Sequence, residues 1–253
     1  MSSIVVEKVH AESVTNALSA PKPFVKWVGG KRQLLPTIKD NLPVGIGETI
    51  TKYAEPFVGG GALLFNLLPN YNFSDAYISD MNVGLITAYN TIRDDVYELT
   101  DLLEAIQNEF YTYKTEETKA NYYYNMRSRY NELLNSASFY EIDNKTELAA
   151  LFITLNKTCF NGMYRVNAKG EFNVPLGRYH EPLICDADNL FATSEYLQSV
   201  TIHCGNYQDA DSFIDDQTFV YFDPPYRPIT QTSAFTAYTD GGFKEGVEYV
   251  KAA

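Results

Sequence analysis

Residues 50–68 read Ile50-Thr51-Lys52-Tyr53-Ala54-Glu55-Pro56-Phe57-Val58-Gly59-Gly60-Gly61-Ala62-Leu63-Leu64-Phe65-Asn66-Leu67-Leu68, and this stretch decides the fold. A short strand over 50–54 runs into a turn of consecutive glycines, and the apolar residues 62–68 predict a helix after it. Downstream, 76–79 predicts a second strand ending at Asp80, and Asn82 can cap a helix running towards Ile92. Strand, helix, strand, helix in direct succession indicates an α/β protein with a parallel sheet.

Outward from this start the texture changes. From Arg93 to the next glycine, Gly162, the chain is charged and rich in tyrosine, which predicts a helical insertion over 93–199. Tyr122, Tyr123, Tyr124 and Tyr130 fall at helical spacings and read as packing and helix-surface residues, not as a base-stacking platform. Within the insertion, 160–175 carries Asn161-Gly162 and Asn167-Ala168-Lys169-Gly170 between short apolar-polar runs, the signature of a β-hairpin or ordered loop. The α/β texture returns at 200–204. A continuous apolar strand over 218–222 then ends in Asp223-Pro224-Pro225-Tyr226. Residues 1–20, polar and small, read as a poorly ordered leader.

Composition narrows the classes. A chain of 253 residues with 45% hydrophobic residues can bury a large core, which excludes intrinsic disorder. No apolar run approaches the ~20 residues of a membrane span and no signal-peptide pattern opens the chain, so a cytoplasmic protein without a membrane partner is expected. The three cysteines, Cys159, Cys185 and Cys204, lack any C-x-x-C spacing, and no metal site is expected; Cys204 beside His203 reads as core. The net charge of −12 argues at first against nucleic acid, since a duplex repels a like-charged protein.

Two stretches stand at carboxyl ends of strands predicted to be parallel, where open α/β sheets bind ligands: the glycine turn and Asp223-Pro224-Pro225-Tyr226. A glycine turn can serve only to let a helix pack closely on its strand. Here Asp80 lies 21 residues beyond Gly59, at the end of the next strand, where a carboxylate can accept hydrogen bonds from ribose hydroxyls. That pairing favours a nucleoside-containing cofactor, and the absence of a G-x-x-x-x-G-K-[ST] sequence argues against a P-loop nucleotidase. The tetrapeptide has a structural reading, a strand ended by prolines. It also matches what amino methylation requires. The lone pair of a purine's exocyclic amino group is delocalised into the ring. A carboxylate and a backbone carbonyl accepting its two N–H bonds can hold the nitrogen closer to tetrahedral. Prolines lock that geometry, and a tyrosine offers a stacking face for a base outside the helix.

On these residues the sequence resembles the Dam-type, D12-class, adenine-specific DNA N6-methyltransferases, from Phe24 to Tyr238. Phe24-Val25-Lys26-Trp27-Val28-Gly29-Gly30-Lys31 is similar to that family's N-terminal cofactor motif, Glu55 to Gly61 to its glycine motif, and Asp223-Pro224-Pro225-Tyr226 to its catalytic motif. The stretches 156–165 and 170–179 are similar to the family's target-recognition segment. The resemblance implies a Rossmann-like S-adenosylmethionine-dependent methyltransferase sheet over 21–92 and 200–253, with 93–199 as an inserted helical target-recognition domain carrying a DNA-reading hairpin, 157–180. It implies S-adenosyl-L-methionine as cofactor, double-stranded DNA as partner, and transfer to adenine N6 within GATC by base flipping. Trp27, Lys31, Glu55, Phe57, Gly59, Gly61, Asp80 and Asp223 would hold the cofactor, and Asp223, Pro224, Pro225 and Tyr226 the target base. On the hairpin, Arg165 would contact guanine, Phe160 would wedge into the vacated stack beside Asn161, and Met163 or Pro175 would touch a thymine methyl. Lys157, Lys169 and Arg178 would hold phosphates. Taken alone, the hairpin also fits an ordinary surface ribbon, and Trp27 and Lys31 a core anchor and a solvated cation.

Family members continue well past Asp-Pro-Pro-Tyr, whereas here 27 residues follow Tyr226. The chain therefore reads as C-terminally shortened, with at most a short helix over 243–252. The strand before Asp223 is expected near a sheet edge that a second chain could complete. Two other functions stand beside the enzyme: a non-catalytic DNA- or cofactor-binding remnant, and an RNA adenine methyltransferase. Charge is unevenly placed: 94–117 holds eight acids and one base and 186–223 eight acids and no base, while 157–180 carries net +3. DNA would then meet only the face bearing the hairpin.

Overall fold

The computed structural model describes residues 20–27, 29–135 and 144–224. The expected leader (up to residue 19), Pro225, Tyr226 and the helix expected over 243–252 lie outside the described residues.

Among the described residues four strands form one parallel sheet: β1 (Lys52–Glu55), β2 (Asp75–Asp80), β3 (Val200–Cys204) and β4 (Thr218–Val220), in the order β3-β2-β1-β4. This is the α/β, Rossmann-like class that the alternation predicted. The first strand is central because its side chains suit it: Tyr53 and Ala54 are fully buried and Glu55 nearly so. Tyr53 pairs with Ala76 on one side and Phe219 on the other. The order reverses direction at β1. From β1 the chain steps outward through β2 to β3, then returns to place β4 on β1's other side. Such a switch point opens a crevice beyond the carboxyl ends of the two strands that flank it. The Gly59 turn follows β1 and Asp223 follows β4, so the topology brings together two motifs more than 160 residues apart.

Short helices α1 (Leu35–Asp40) and α2 (Leu64–Leu67) flank the beginning of the sheet. The helix expected over 62–68 is shorter, because the chain leaves the glycine turn through a hydrogen-bonded turn, Gly61 N–H to Val58 carbonyl at 2.8 Å. Helix α3 (Val83–Asp94) starts where Asn82 accepts the Leu85 N–H at 2.9 Å. Then come α4 (Val96–Thr112), α5 (Glu116–Asn135), α6 (Lys145–Thr158) and α7 (Ala187–Leu197). Helix α6 is buried on nearly all sides and packs against α3, α4 and α5. A helix apolar all round belongs inside a core, and α6 forms the hub joining the helical region to the sheet. Tyr123 and Tyr130 of α5 are fully buried in that core, as their spacing predicted, whereas Tyr124 is partly exposed.

Residues 159–177 form an irregular antiparallel ribbon, pinned by the bridges Cys159–Leu176 and Val166–Phe172. Lys157 belongs to the last turn of α6, not to this ribbon. No helix among the described residues is long and apolar enough to cross a membrane.

Candidate active site and nucleic-acid interface

At the end of β1 the glycine turn takes backbone angles that favour glycine, with φ +48° at Gly59 and +70° at Gly61. A Cβ at Gly59 would lie 2.7 Å from the Trp27 ring, so the indole closes directly over the turn. The turn is also fixed from outside. The Tyr89 hydroxyl donates to the Gly59 carbonyl at 3.1 Å, and the Gly59 N–H donates to Asp80 at 3.2 Å. Asp80's other oxygen accepts the Asn82 N–H at 2.9 Å. Burial raises the Asp80 pKa, and these backbone donors offset part of that rise. A carboxylate has about four acceptor positions, so Asp80 retains capacity for a ligand's hydroxyls.

Glu55, the first residue of the motif, is almost wholly inaccessible. Its Oε2 accepts the Tyr53 hydroxyl at 2.6 Å. Burial pushes its carboxyl up to about 8, against the lowering effect of that hydroxyl and of the Leu64 backbone N–H. Asp223 nearby adds to the rise. The Asp223 carboxylate is itself held by Lys31, Nζ to Oδ1 at 2.9 Å. This ion pair ties the segment before β1 to the end of β4. Above the strand ends, Phe57 stacks on Tyr207 with ring centroids 5.5 Å apart, and Phe222 meets both at 6.1 and 6.2 Å. Phe222 remains half exposed, leaving flat aromatic surface beside Asp223.

Of the candidate cofactor residues, Glu55 and Gly61 are buried, while Trp27, Lys31, Phe57, Gly59, Asp80 and Asp223 gather at the crevice beyond the strand ends. Pro224, exposed, follows at its rim. Sequence reasoning missed three residues. Tyr164 stacks on Trp27 at 5.7 Å and 26°, with its hydroxyl against Tyr130 and Asn82. Asn156, buried, clamps the backbone of Lys26, accepting its N–H and donating to its carbonyl, both at 2.8 Å. Its amide also reaches the Gly162 carbonyl at 3.3 Å, so one side chain joins the cofactor-motif segment to the ribbon. Asn173 is the third, through its bonds to Arg165. Only tertiary contact reveals such residues, although the alternation along the ribbon could have shown Tyr164 facing opposite to Arg165.

The ribbon presents Phe160, Asn161, Lys169, Pro175 and Arg178 as exposed residues and Met163 and Arg165 as partly buried ones. Asn161 has φ +55°, in the left-handed region that asparagine tolerates. Lys157 is set apart. Burial lowers its pKa, and Asp186 lies close enough to counter part of that effect. His203 pairs with Asp209 at 3.0 Å, and burial raises the Cys204 thiol to about 11. Among the described residues no His, Cys, Asp and Glu cluster is arranged to hold a metal ion.

Comparison with known proteins bears on this crevice. The family described as D12 class N6 adenine-specific DNA methyltransferase matches residues 27–252. The chain belongs to this family. It is therefore a DNA adenine methyltransferase by membership, with DNA as substrate and a methyl donor required. It is 46% identical over 225 residues to the type II methyltransferase M.MjaIII of Methanocaldococcus jannaschii, covering 88% of this chain and 75% of that protein. It is 41% identical to the type II methyltransferase M1.LlaDCHI of Lactococcus lactis subsp. cremoris, over 88% of this chain and 72% of the relative. The DNA adenine methylase of Escherichia coli K12 is 36% identical, over 88% and 71%. Family membership overturns the first inference from net acidity, since a net charge of −12 is compatible with a DNA substrate when the charge is unevenly distributed.

Proposed function

We propose that this methyltransferase uses S-adenosylmethionine as donor and methylates N6 of adenine within GATC in double-stranded DNA. The observation that supports this reading best is the switch-point crevice. There the Gly59 turn, Asp80 and Asp223 converge at the carboxyl ends of adjacent strands. The residues suit the donor: glycine at 59 leaves the space over which Trp27 closes, Asp80 has acceptors for ribose hydroxyls, and Phe57 and Tyr207 offer an aromatic wall. When bound, S-adenosylmethionine supplies an electrophilic sulfonium methyl.

The chain's own residues do the rest. Asp223, oriented by Lys31, accepts one N–H of the adenine amino group, and the Pro224 carbonyl accepts the other, restoring lone-pair density to nitrogen. Pro225 fixes the backbone and Tyr226 stacks the flipped base. On the ribbon, Phe160 enters the space the base leaves, with Asn161 beside it. Arg165 contacts guanine, Met163 and Pro175 touch thymine methyls, and Lys157, Lys169 and Arg178 hold phosphates. Residues 21–92 and 200–253 then serve catalysis and 93–199 target recognition. Direct transfer needs no covalent enzyme intermediate.

The test is to incubate the protein with donor and a GATC-bearing plasmid, then digest with a nuclease that adenine methylation blocks. Protection is expected. Complete digestion while the donor binds the protein would leave a binding remnant as the better account.

A further inference from the structure

The ribbon contains a feature beyond the contacts assigned above. Phe172 and Val174 are buried, and the backbone at both is strapped to one face of α5. The Asn131 amide accepts the Phe172 N–H at 2.8 Å and donates to the Phe172 carbonyl at 3.1 Å. The Val174 carbonyl accepts the Tyr123 hydroxyl at 2.8 Å and Arg127 Nη1 at 3.3 Å. Positions 123, 127 and 131 are spaced four apart, so all three donors rise from the same side of the helix. Asn173 lies between two residues that α5 holds, and strand alternation turns its side chain the opposite way.

There it meets Arg165. Arg165 Nε donates to Asn173 Oδ1 at 2.7 Å, Arg165 Nη2 donates to the Asn173 carbonyl at 3.3 Å, and the Asn173 N–H donates to the Arg165 carbonyl at 3.1 Å. A guanidinium has five N–H bonds. With Nε and one Nη2 proton committed, its side edge is closed and its end, Nη1 with the second Nη2 proton, is presented.

We infer that Asn173 is a positioning residue that fixes Arg165 for end-on, two-bond contact with guanine O6 and N7, and so sets the sequence discrimination of this enzyme. A free arginine side chain carries several rotatable bonds whose freedom is lost when it docks. The Asn173 brace removes much of that loss in advance, and its rigidity comes from α5 rather than from the ribbon. The inference rests on the reading of Arg165 as the guanine contact, and the experiment separates the two.

Binding of the full chain, with a non-transferring donor analogue, is titrated by fluorescence anisotropy against a GATC duplex and one bearing 7-deazaguanine, which lacks the N7 acceptor. Wild type should prefer guanine by roughly 10-fold, the scale expected for one bond of a bidentate pair. Arg165→Ala should bring the ratio to about 1, and Asn173→Ala to about 2–3, with donor-analogue binding and melting unchanged. Asn173→Asp keeps the acceptor and should restore the ratio even though its charge weakens both complexes. A wild-type ratio near 1, or an unchanged ratio in Arg165→Ala, overturns the assignment of Arg165. Loss in Arg165→Ala with the wild-type ratio kept in Asn173→Ala overturns the brace alone. Nitrogen-15 NMR of the free protein gives a second measure that needs no variant to fold. The Arg165 Nε–H should exchange with solvent more slowly than that of exposed Arg178, and equal exchange rates overturn the brace.

Discussion

The crevice at the strand ends and the ribbon beside it hold their functional groups by different means. In the crevice the carboxylates are buried or half-buried and fixed by short, local partners: Tyr53 on Glu55, backbone N–H groups on Asp80, Lys31 on Asp223. On the ribbon the groups facing solvent belong to a backbone without a regular ladder, held from below by α5 and α6. A site that must orient one amino group benefits from low dielectric and rigid acceptors. A surface that must meet a polyanion needs exposed cations and can take its rigidity from elsewhere. The comparison teaches that precision here comes from burial in one region and from borrowed anchoring in the other.

Five substitutions would break or sharpen that contrast. The largest effect is expected from Asp223→Ala, which on the proposed mechanism removes the acceptor at the reacting nitrogen. Turnover should drop by about 10²–10³-fold with the melting temperature nearly unchanged, and undiminished turnover in a methylation assay would remove Asp223 from the mechanism. Next comes the pH dependence of stability. The Glu55 carboxyl rises from its ordinary 4.5 to about 8, so between those values the folded chain keeps a proton that the unfolded chain releases. Stability therefore declines as pH increases through this window, and Glu55→Gln should flatten the decline by an amount on the order of 3 kcal/mol in urea titrations at pH 5 and pH 8.5. An identical slope in both proteins would show that burial does not hold Glu55 neutral.

Gly59→Ala should cost about 1–3 kcal/mol, because alanine is strained at φ +48° and its methyl meets Trp27. Calorimetry of donor binding should show the corresponding loss of affinity; unaltered binding would argue that the indole does not close over the cofactor. The smallest effects belong to the ribbon. If Lys157, Lys169 and Arg178 are the cations that reach phosphate, log affinity against log salt should have a slope of about −3. Each of Lys169→Gln and Arg178→Gln should lower that slope by about 1. A slope much steeper than about −4 would mean that cations beyond these share the duplex. A neutral substitution in the crevice should leave the slope as it is, which keeps the two regions distinct.

Legibility differed between the regions in the same sense. Glu55, Gly59, Gly61 and Asp80 stand within or next to two consecutive strands, so spacing alone could relate them. Asp223 was identified by its prolines, although its ion pair with Lys31 spans about three quarters of the chain. Asn156, Tyr164 and Asn173 could not be chosen from the sequence, because an asparagine or tyrosine acquires a role only from the partner folding brings to it. The ribbon begins at Cys159 and not at Lys157, where the hairpin was expected, because α6 continues through Thr158. Thr158 satisfies its hydroxyl by donating to the Thr154 carbonyl, which lets the polar residues 156–158 stay in the helix.

By itself the sequence determined the alternation of strand and helix, the glycine turn, and the chemistry available after the last strand, since these depend on local periodicity and on residues with restricted backbones. The tertiary structure alone decided that β1 lies between β2 and β4. That order places the glycine turn beside Asp223, and the straps from α5 and α6 give an irregular ribbon a fixed geometry. Both outcomes depend on pairings between residues far apart in the chain, and only the burial of a shared core selects them.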